Sequence, residues 1–420
     1  MMANHPRMTH FKVKLSLIFN YVIFAILLNS VGVVILQLIN DFNVNPESAS
    51  ILEAYKDLSI AIASFLLAAY IPKFGYKKSM IAGLLVVTTG SILMALYGSF
   101  VMSQLLYAMV GVSFALVKVS AYSTVSLITE DSSDHASFMS TLEGFFMVGV
   151  LGGFWLFGYM IDISADSESI TWLSTYWILA AIGGMATILL ITTDLDESSV
   201  KEEQSTPGED FIEMVKLVKY PLVIFFVLGA FFYVYIEQAI NFWLTKFNYE
   251  IGQLPDNISV QISSIYAGAL AAGRLLGGRI MKKVHWYVVL QTSIVIAAIL
   301  VLLVLPLTAG VEPGSVTGWS TVPLAAYLFP AIGLFLAPIY PTLSSSILSA
   351  LPKNRQSGMT GLIVIFSALG GTSGSIITGF IFGQLDGQVA FYFTLVPLVL
   401  LFLVLIVYKR KRESFDLKQD

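Results

Sequence analysis

The sequence predicts an all-α membrane protein with twelve transmembrane helices, and three observations carry that expectation. The chain is 56% hydrophobic and only 12% charged over 420 residues, which leaves too little polar surface for an ordinary soluble fold. Twelve long apolar stretches can be marked off, at about 15–38, 50–72, 77–98, 101–128, 136–161, 172–193, 221–247, 259–281, 285–308, 321–350, 357–383 and 388–408. Each is long enough for the roughly 20 residues a bilayer demands. The basic residues are also sorted by loop, and all but four of the 23 fall in alternate connections.

Taken in order, Arg7, Lys12 and Lys14 precede the first stretch, and Lys73, Lys77 and Lys78 follow the second. Lys201, Lys216 and Lys219 lie in the central loop, and Arg279, Lys282 and Lys283 in the turn after the eighth stretch. Lys353 and Arg355 follow the tenth, while Lys409, Arg410, Lys411, Arg412 and Lys418 form the C-terminal tail. The intervening loops, including 39–49, 162–171, 248–258 and 309–320, hold none. Such alternation predicts that both termini lie in the cytoplasm of a cytoplasmic (inner) membrane. The first stretch lacks a small-residue cleavage pattern and reads as a retained span rather than a signal peptide.

Composition also excludes several classes. Without cysteine, the chain has no disulfides, no thiolate chemistry and no Cys-type metal site. His5, His10, His135 and His285 all fall in loops or tails, which argues against an imidazole relay across the bilayer. No basic patch with interleaved aromatics suggests nucleic acid. No phosphate-cradling loop or metal-ligand cluster is present, so neither cofactor nor metal is expected and ATP is not the fuel. The missing constellations disfavour an enzyme.

The polar run at 194–219 contains Asp194, Asp196, Glu197, Glu202 and Glu203, then Pro207-Gly208. It divides the chain into a six-helix bundle at 1–193, a linker at 194–220 and a second six-helix bundle at 221–420 with a basic tail. The halves look related. The fifth stretch ends Phe157-Gly158-Tyr159-Met160-Ile161-Asp162 and the eleventh ends Phe382-Gly383-Gln384-Leu385-Asp386. Both are glycine-rich, with Gly144, Gly149, Gly152 and Gly153 in one and Gly370, Gly371, Gly374 and Gly379 in the other. These glycines serve close helix packing in lipid, which is also what a rocking interface requires.

The candidate intramembrane charges within the apolar stretches are Lys56, Asp57, Lys118, Glu143, Glu237 and Arg274. Each is costly in hydrocarbon and so asks for a reason. Three are positive and three negative, as buried pairing would produce. Lys118, on a helix running inward, and Glu143, on one running outward, sit at similar depth at about 1.5 Å per residue. A Lys118–Glu143 pair is therefore geometrically reasonable. Asp57 sits nearer the outer face and would reach Lys118 only through water or a rearrangement. Either these groups form a carboxylate–amine switch that exchanges a proton, or a static pair that pins two helices.

Particular motifs carry a family resemblance. Lys73-Phe74-Gly75-Tyr76-Lys77-Lys78 after the second stretch resembles the major facilitator loop signature, with Pro72 where the usual aspartate would be. Gly273-Arg274-Leu275-Leu276-Gly277-Gly278-Arg279, with Lys282-Lys283, is similar to its second-half copy. Phe232-Tyr233-Val234-Tyr235-Ile236-Glu237 and Asn241-Phe242-Trp243-Leu244 resemble the seventh helix of the fucose–galactose–glucose:proton symporter branch. Pro338-Ile339-Tyr340-Pro341-Thr342-Leu343 and Gln356-Ser357-Gly358 resemble that branch's tenth helix and the turn into the eleventh. The resemblance implies two parallel six-helix repeats around an axis normal to the membrane, with a solute held near the midplane. The branch uses an aspartate in its first helix and a glutamate in its fourth for proton coupling. By ungapped comparison those positions here hold Gly32 and Val117, and Ala121-Tyr122 replaces the branch's Asn-Pro pair.

The resemblance also implies that helices 1, 4, 7 and 10 line the cavity. Their polar groups are Asn20 and Asn29, Lys118 and Tyr122, Glu237 and Asn241, and Tyr340. Among them Asn29, Tyr122, Glu237, Asn241 and Tyr340 are the expected solute contacts, although a tyrosine such as Tyr340 near a helix end is also a common interface anchor. Amides, a carboxylate and aromatic rings suit a polyol. Asp57, Lys118 and Glu143 are the expected coupling or paired charges. Lys73, Gly75, Lys77, Arg274 and Arg279 are the expected gating residues, with Arg274 clamping helix ends. Pro338 and Pro341 are expected to kink the tenth helix. The implied function is secondary transport of a small polar solute, a sugar first of all, by a proton-coupled monomer. An exporter of drugs or amphipathic metabolites and a non-transporting nutrient sensor are the alternatives.

Overall fold

Inside hydrocarbon, every backbone amide must find its partner within the chain, so a span without a closed barrel must be helical. The computed structural model describes residues 5–67, 71–128, 132–164, 171–195, 197, 215–281, 283–308, 311–312, 314–351 and 353–416. Among them, ten helices are long and apolar enough to cross a membrane. Two further helices, Ile51–Leu67 and Asp256–Ile280, complete twelve spans. Their lower apolarity has a plain cause, since the first carries Glu53, Lys56 and Asp57 and the second carries Asp256, Arg274 and Arg279.

Among the described residues the first, tenth and twelfth spans are interrupted, the last between Gly387–Phe393 and Leu395–Asp416. The first runs as His5–Asn29 and resumes as Val31–Phe42. At the break, the Ser30 hydroxyl donates to the Leu27 carbonyl at 3.0 Å and shares a hydrogen bond with the Tyr107 hydroxyl at 3.1 Å. The tenth is built from Leu324–Leu328, Phe329–Ala331, Ile332–Leu336 and Ile339–Ala350. Pro330 and Pro338 fall at its interruptions, whereas Pro341 sits in the first turn of the last piece. That turn tolerates proline because its amides lack intrahelical acceptors anyway.

The chain divides into two compact units, Met1–Val31 with Tyr55–Pro207, and Gly32–Ala54 with Gly208–Asp420. The boundary lies inside the first span, so residues 32–54 pack with the second unit.

In the first unit, the first and fifth spans meet along glycines one turn apart. A β-carbon on Gly149 would stand 2.8 Å from Ala25 Cβ, and one on Gly153 would stand 3.1 Å from Ile26 Cγ2. Gly75 opens the third span (Tyr76–Tyr97) with φ +98°, a left-handed conformation that glycine adopts without steric cost. The Glu197 carboxylate accepts from the amides of Tyr76 at 3.0 Å and Lys77 at 2.7 Å, capping that helix from the central loop. The Lys77 ammonium donates to the carbonyls of Ile191 at 3.0 Å and Thr193 at 2.6 Å, at the end of the sixth span (Thr175–Ile191).

In the second unit the equivalent seam recurs. Gly370 and Gly374 of the eleventh span (Lys353–Gln384) lie against the backbone carbonyls of Phe231 and Tyr235 in the seventh (Pro221–Glu250). The Trp243 indole donates to the Ser375 carbonyl at 3.0 Å, and the Thr245 hydroxyl bonds Ser263 at 3.0 Å. Segment 32–54 joins this framework directly. Ser375 donates to the Ser50 carbonyl at 3.3 Å, Gln384 to Glu47 at 2.8 Å, and Asn40 to Asp256 at 3.1 Å.

Candidate functional site

The second unit gathers a carboxylate, a guanidinium and three phenols. Glu237, in the body of the seventh span, stands 3.7 Å from the Arg274 guanidinium on the eighth. The Glu237 side chain is 15% exposed and that of Arg274 45% exposed, so the carboxylate is enclosed while the cation keeps an open side. An unpaired charge at a helix centre costs about 2.5–3.5 kcal/mol in a membrane, and the pairing offsets part of that cost. Tyr266 donates to the Glu237 carbonyl at 3.3 Å. The rings of Tyr233 and Tyr340 stack at 5.6 Å, and the Tyr340 hydroxyl shares a 3.1 Å hydrogen bond with Ser367. All three phenols lie within electrostatic reach of the Glu237–Arg274 pair. Asn241, one turn beyond Glu237, is half-buried.

This arrangement brings together Glu237, Arg274 and Tyr340. Arg274, expected to clamp helix ends, pairs with the carboxylate expected to bind solute. Tyr340, which as an interface anchor would have faced the bilayer surface, stacks inside the cluster. With Tyr233 and Tyr266 fully buried, the carboxylate lone pairs, the open side of the guanidinium and the partly exposed Tyr340 are the groups that the cluster offers to hydroxyls.

In the first unit, the Lys118 ammonium lies 5.5 Å from the ring centre of Phe114 and 6.0 Å from that of Tyr122. Those rings pack in turn on the first span, Phe114 against Phe24 at 5.7 Å and Tyr122 stacked on Tyr21 at 6.4 Å. Cation–π contact is a recognised way to hold a lysine against an apolar face. Asn29 turns back on its own helix and donates to the Ala25 carbonyl at 2.9 Å. Asn20 does the same toward Ser16 at 2.8 Å.

The Asp57 carboxylate lies 3.5 Å from Lys56, whose ammonium also donates to the Leu28 carbonyl at 3.3 Å. The side chains of Glu143 and Lys73 lie outside the described residues, as do those of Gln356 and Ser357. Gly75 and Lys77 form the brace onto the sixth span given above, and Arg279 is exposed in the last turn of the eighth. Lys246 is 2% exposed and pairs with Glu250 one turn on. Among the described residues no group of acidic or histidine side chains is arranged to hold a metal ion.

Several residues at these sites escaped the sequence reading. Tyr233 stands four residues before Glu237, and Tyr266 eight before Arg274. That spacing puts each on the same helical face as its partner, a signal that was available. Glu53, fully buried near the start of the second span, was masked by its closeness to the expected helix end. The capping role of Glu197 and the Asn40–Asp256 bond join residues 121 and 216 positions apart, and no local pattern announces them.

Twelve helical spans with a charge pair and phenols packed inside are those of an integral membrane protein, and the family its sequence matches is one of membrane transporters. The sequence profile of the Major Facilitator Superfamily matches residues 17–371, and the chain belongs to that family. Among curated proteins none matches the sequence significantly. The fold is similar to the solved nucleoside transporter NupG, with a TM-score of 0.74 and 14% identity over 95% of this chain and 98% of that one. It is also similar to a bacterial homologue of the human lysosomal transporter Spinster, inward-facing and unoccupied, with a TM-score of 0.74 and 14% identity over 99% of both chains. A third similar structure is FucP in its outward conformation, with a TM-score of 0.58 and 18% identity over 96% of this chain and 99% of that one.

Proposed function

We propose that this protein carries a small polyol, a sugar or a sugar-bearing solute, into the cell by alternating access and in step with a proton. The observation that supports this reading is the Glu237–Arg274 pair beside Tyr233, Tyr266 and Tyr340. Vicinal hydroxyls donate to a carboxylate and accept from a guanidinium, while the carbon-bound face of a sugar ring rests on an aromatic ring. Among similar folds, one is named a nucleoside transporter and one a fucose:proton symporter. Both cargoes carry a sugar ring.

Coupling follows from the same pair. Gly32 and Val117 stand where the resembled branch has acids, so Glu237 takes over the proton in this proposal. Protonating Glu237 neutralises the enclosed member of the pair and frees the Arg274 guanidinium, whose open side a solute can reach. A solute that accepts from Arg274 takes the place of the carboxylate, so proton and solute bind together. In this reading the basic loops face the cytoplasm of an inner membrane, and a monomer suffices because each unit holds its own polar cluster.

Proteoliposomes loaded at controlled pH and screened against hexoses, amino sugars, nucleosides and short peptides test this reading. Uptake of a sugar-bearing solute that rises with an inward proton gradient is expected, and Glu237→Gln should uncouple it. Uptake driven by sodium alone, or confined to peptides, would sink it.

A further inference from the structure

At one end of the second unit, a cavity of about 520 Å³ opens among the ends of the eighth, ninth, tenth and twelfth spans. Its lining includes His285, Trp286, Ser346, Lys409, Arg412 and Glu413. The ninth span begins at Trp286 and the twelfth apolar segment ends at Ser414, so the cavity sits where hydrocarbon gives way to water. Trp286 packs edge-on against Tyr408 at 6.3 Å and against Tyr287 at 5.9 Å, the aromatic arrangement that favours headgroup depth.

The cations at this cavity are held in place. Arg412 donates through Nη1 to the Ser346 carbonyl at 2.5 Å and to the Ser346 hydroxyl, which fixes the guanidinium plane against the tenth span. The Lys409 ammonium lies 4.6 Å from the ring centre of Tyr287 and 3.6 Å from the Glu413 carboxylate. Arg410 and Lys411 add exposed positive charge beside them.

We propose that this cavity holds the phosphate of an anionic phospholipid from the leaflet expected to face the cytoplasm. A fixed guanidinium matches phosphate oxygens in a two-point contact, and an adjacent ammonium supplies a point charge. Met281, Pro341 and Thr342 complete the lining, and the two apolar ones suit the start of an acyl chain rather than a free ion. Glu413 is the one acidic group of the lining and competes with the phosphate for Lys409. None of these residues belongs to the Glu237 cluster, so the inference stands apart from the choice of solute.

Native mass spectrometry of the full-length protein, released from micelles doped with phosphatidylglycerol or phosphatidylcholine, tests the assignment. The wild type should retain one phosphatidylglycerol, and Lys409→Gln with Arg412→Gln should lower that retention about tenfold. Glu413→Gln should raise it, a gain that misfolding would not produce. Unchanged retention in both variants would overturn the proposal, as would equal retention of phosphatidylcholine. A thermal shift with inorganic phosphate in lipid-free micelles that matches the shift with phosphatidylglycerol would overturn the lipid assignment.

Discussion

A β-carbon on Gly32 would stand 2.5 Å from the Phe242 carbonyl oxygen, so the second half of the first span meets the seventh span backbone to backbone. The position where the resembled branch carries a coupling aspartate is therefore occupied by a helix contact, not by an open site. Gly32→Asp should lower thermal stability in detergent through overpacking worth about 1–3 kcal/mol. It should confer no additional proton dependence on uptake. An aspartate variant of unchanged stability with steeper pH dependence would contradict this.

The Glu237–Arg274 pair predicts non-additive substitutions. Arg274→Gln leaves an enclosed carboxylate without its ion partner, so it should destabilise more than the double variant Glu237→Gln/Arg274→Gln. The coupling between the two sites should be about 0.5–3 kcal/mol, read from a double-mutant cycle of unfolding midpoints. Additive effects would mean that the two charges do not support one another.

Asn40 donates to the carboxylate of Asp256, the first residue of the eighth helix, and so ties segment 32–54 to it. Asn40→Ala should loosen that segment by about 1 kcal/mol, the usual net worth of a hydrogen bond. Because the chain lacks cysteine, the modification rate of a single Ser48→Cys at fixed pH reports this directly. The rate should rise in the Asn40→Ala background, and an unchanged rate would remove the bond from the packing account.

Glu197 caps the third span through the amides of Tyr76 and Lys77. Glu197→Gln should cost about 1 kcal/mol, the usual worth of a helix cap. Gly75→Ala should cost a similar amount, because φ +98° is disfavoured for any side chain. Faster hydrogen exchange confined to the start of Tyr76–Tyr97 is the expected signature. Global loosening without that local change would argue against the cap.

Two glycine seams can be told from ordinary glycines. Gly374→Ala would push a methyl into the Tyr235 carbonyl, whereas nothing lies within 4 Å of a β-carbon on Gly152. The first substitution should destabilise by about 1–3 kcal/mol, and the second should be neutral or slightly stabilising. Equal effects on the unfolding midpoint would remove the seam from the packing account.

The twelve spans could be read from the chain alone because each follows from local content. A bilayer demands some twenty apolar residues in a row, and basic residues accumulate on one side, so composition along the chain suffices. The repeat was visible in the glycine-rich fifth and eleventh stretches and their similar ends, Phe157-Gly158 to Asp162 and Phe382-Gly383 to Asp386, which needs no knowledge of the partner helix. The break at Ser30 and the membership of residues 32–54 in the second unit were not visible. Both depend on what Gly32, Ser50 and Asn40 touch, on helices distant in sequence. The same limit applies to the site. Glu237 and Arg274 each announced themselves as charges in lipid, but helix depth and rotation are settled by packing among many side chains at once. Only that packing made them partners rather than a binding group and a distant clamp.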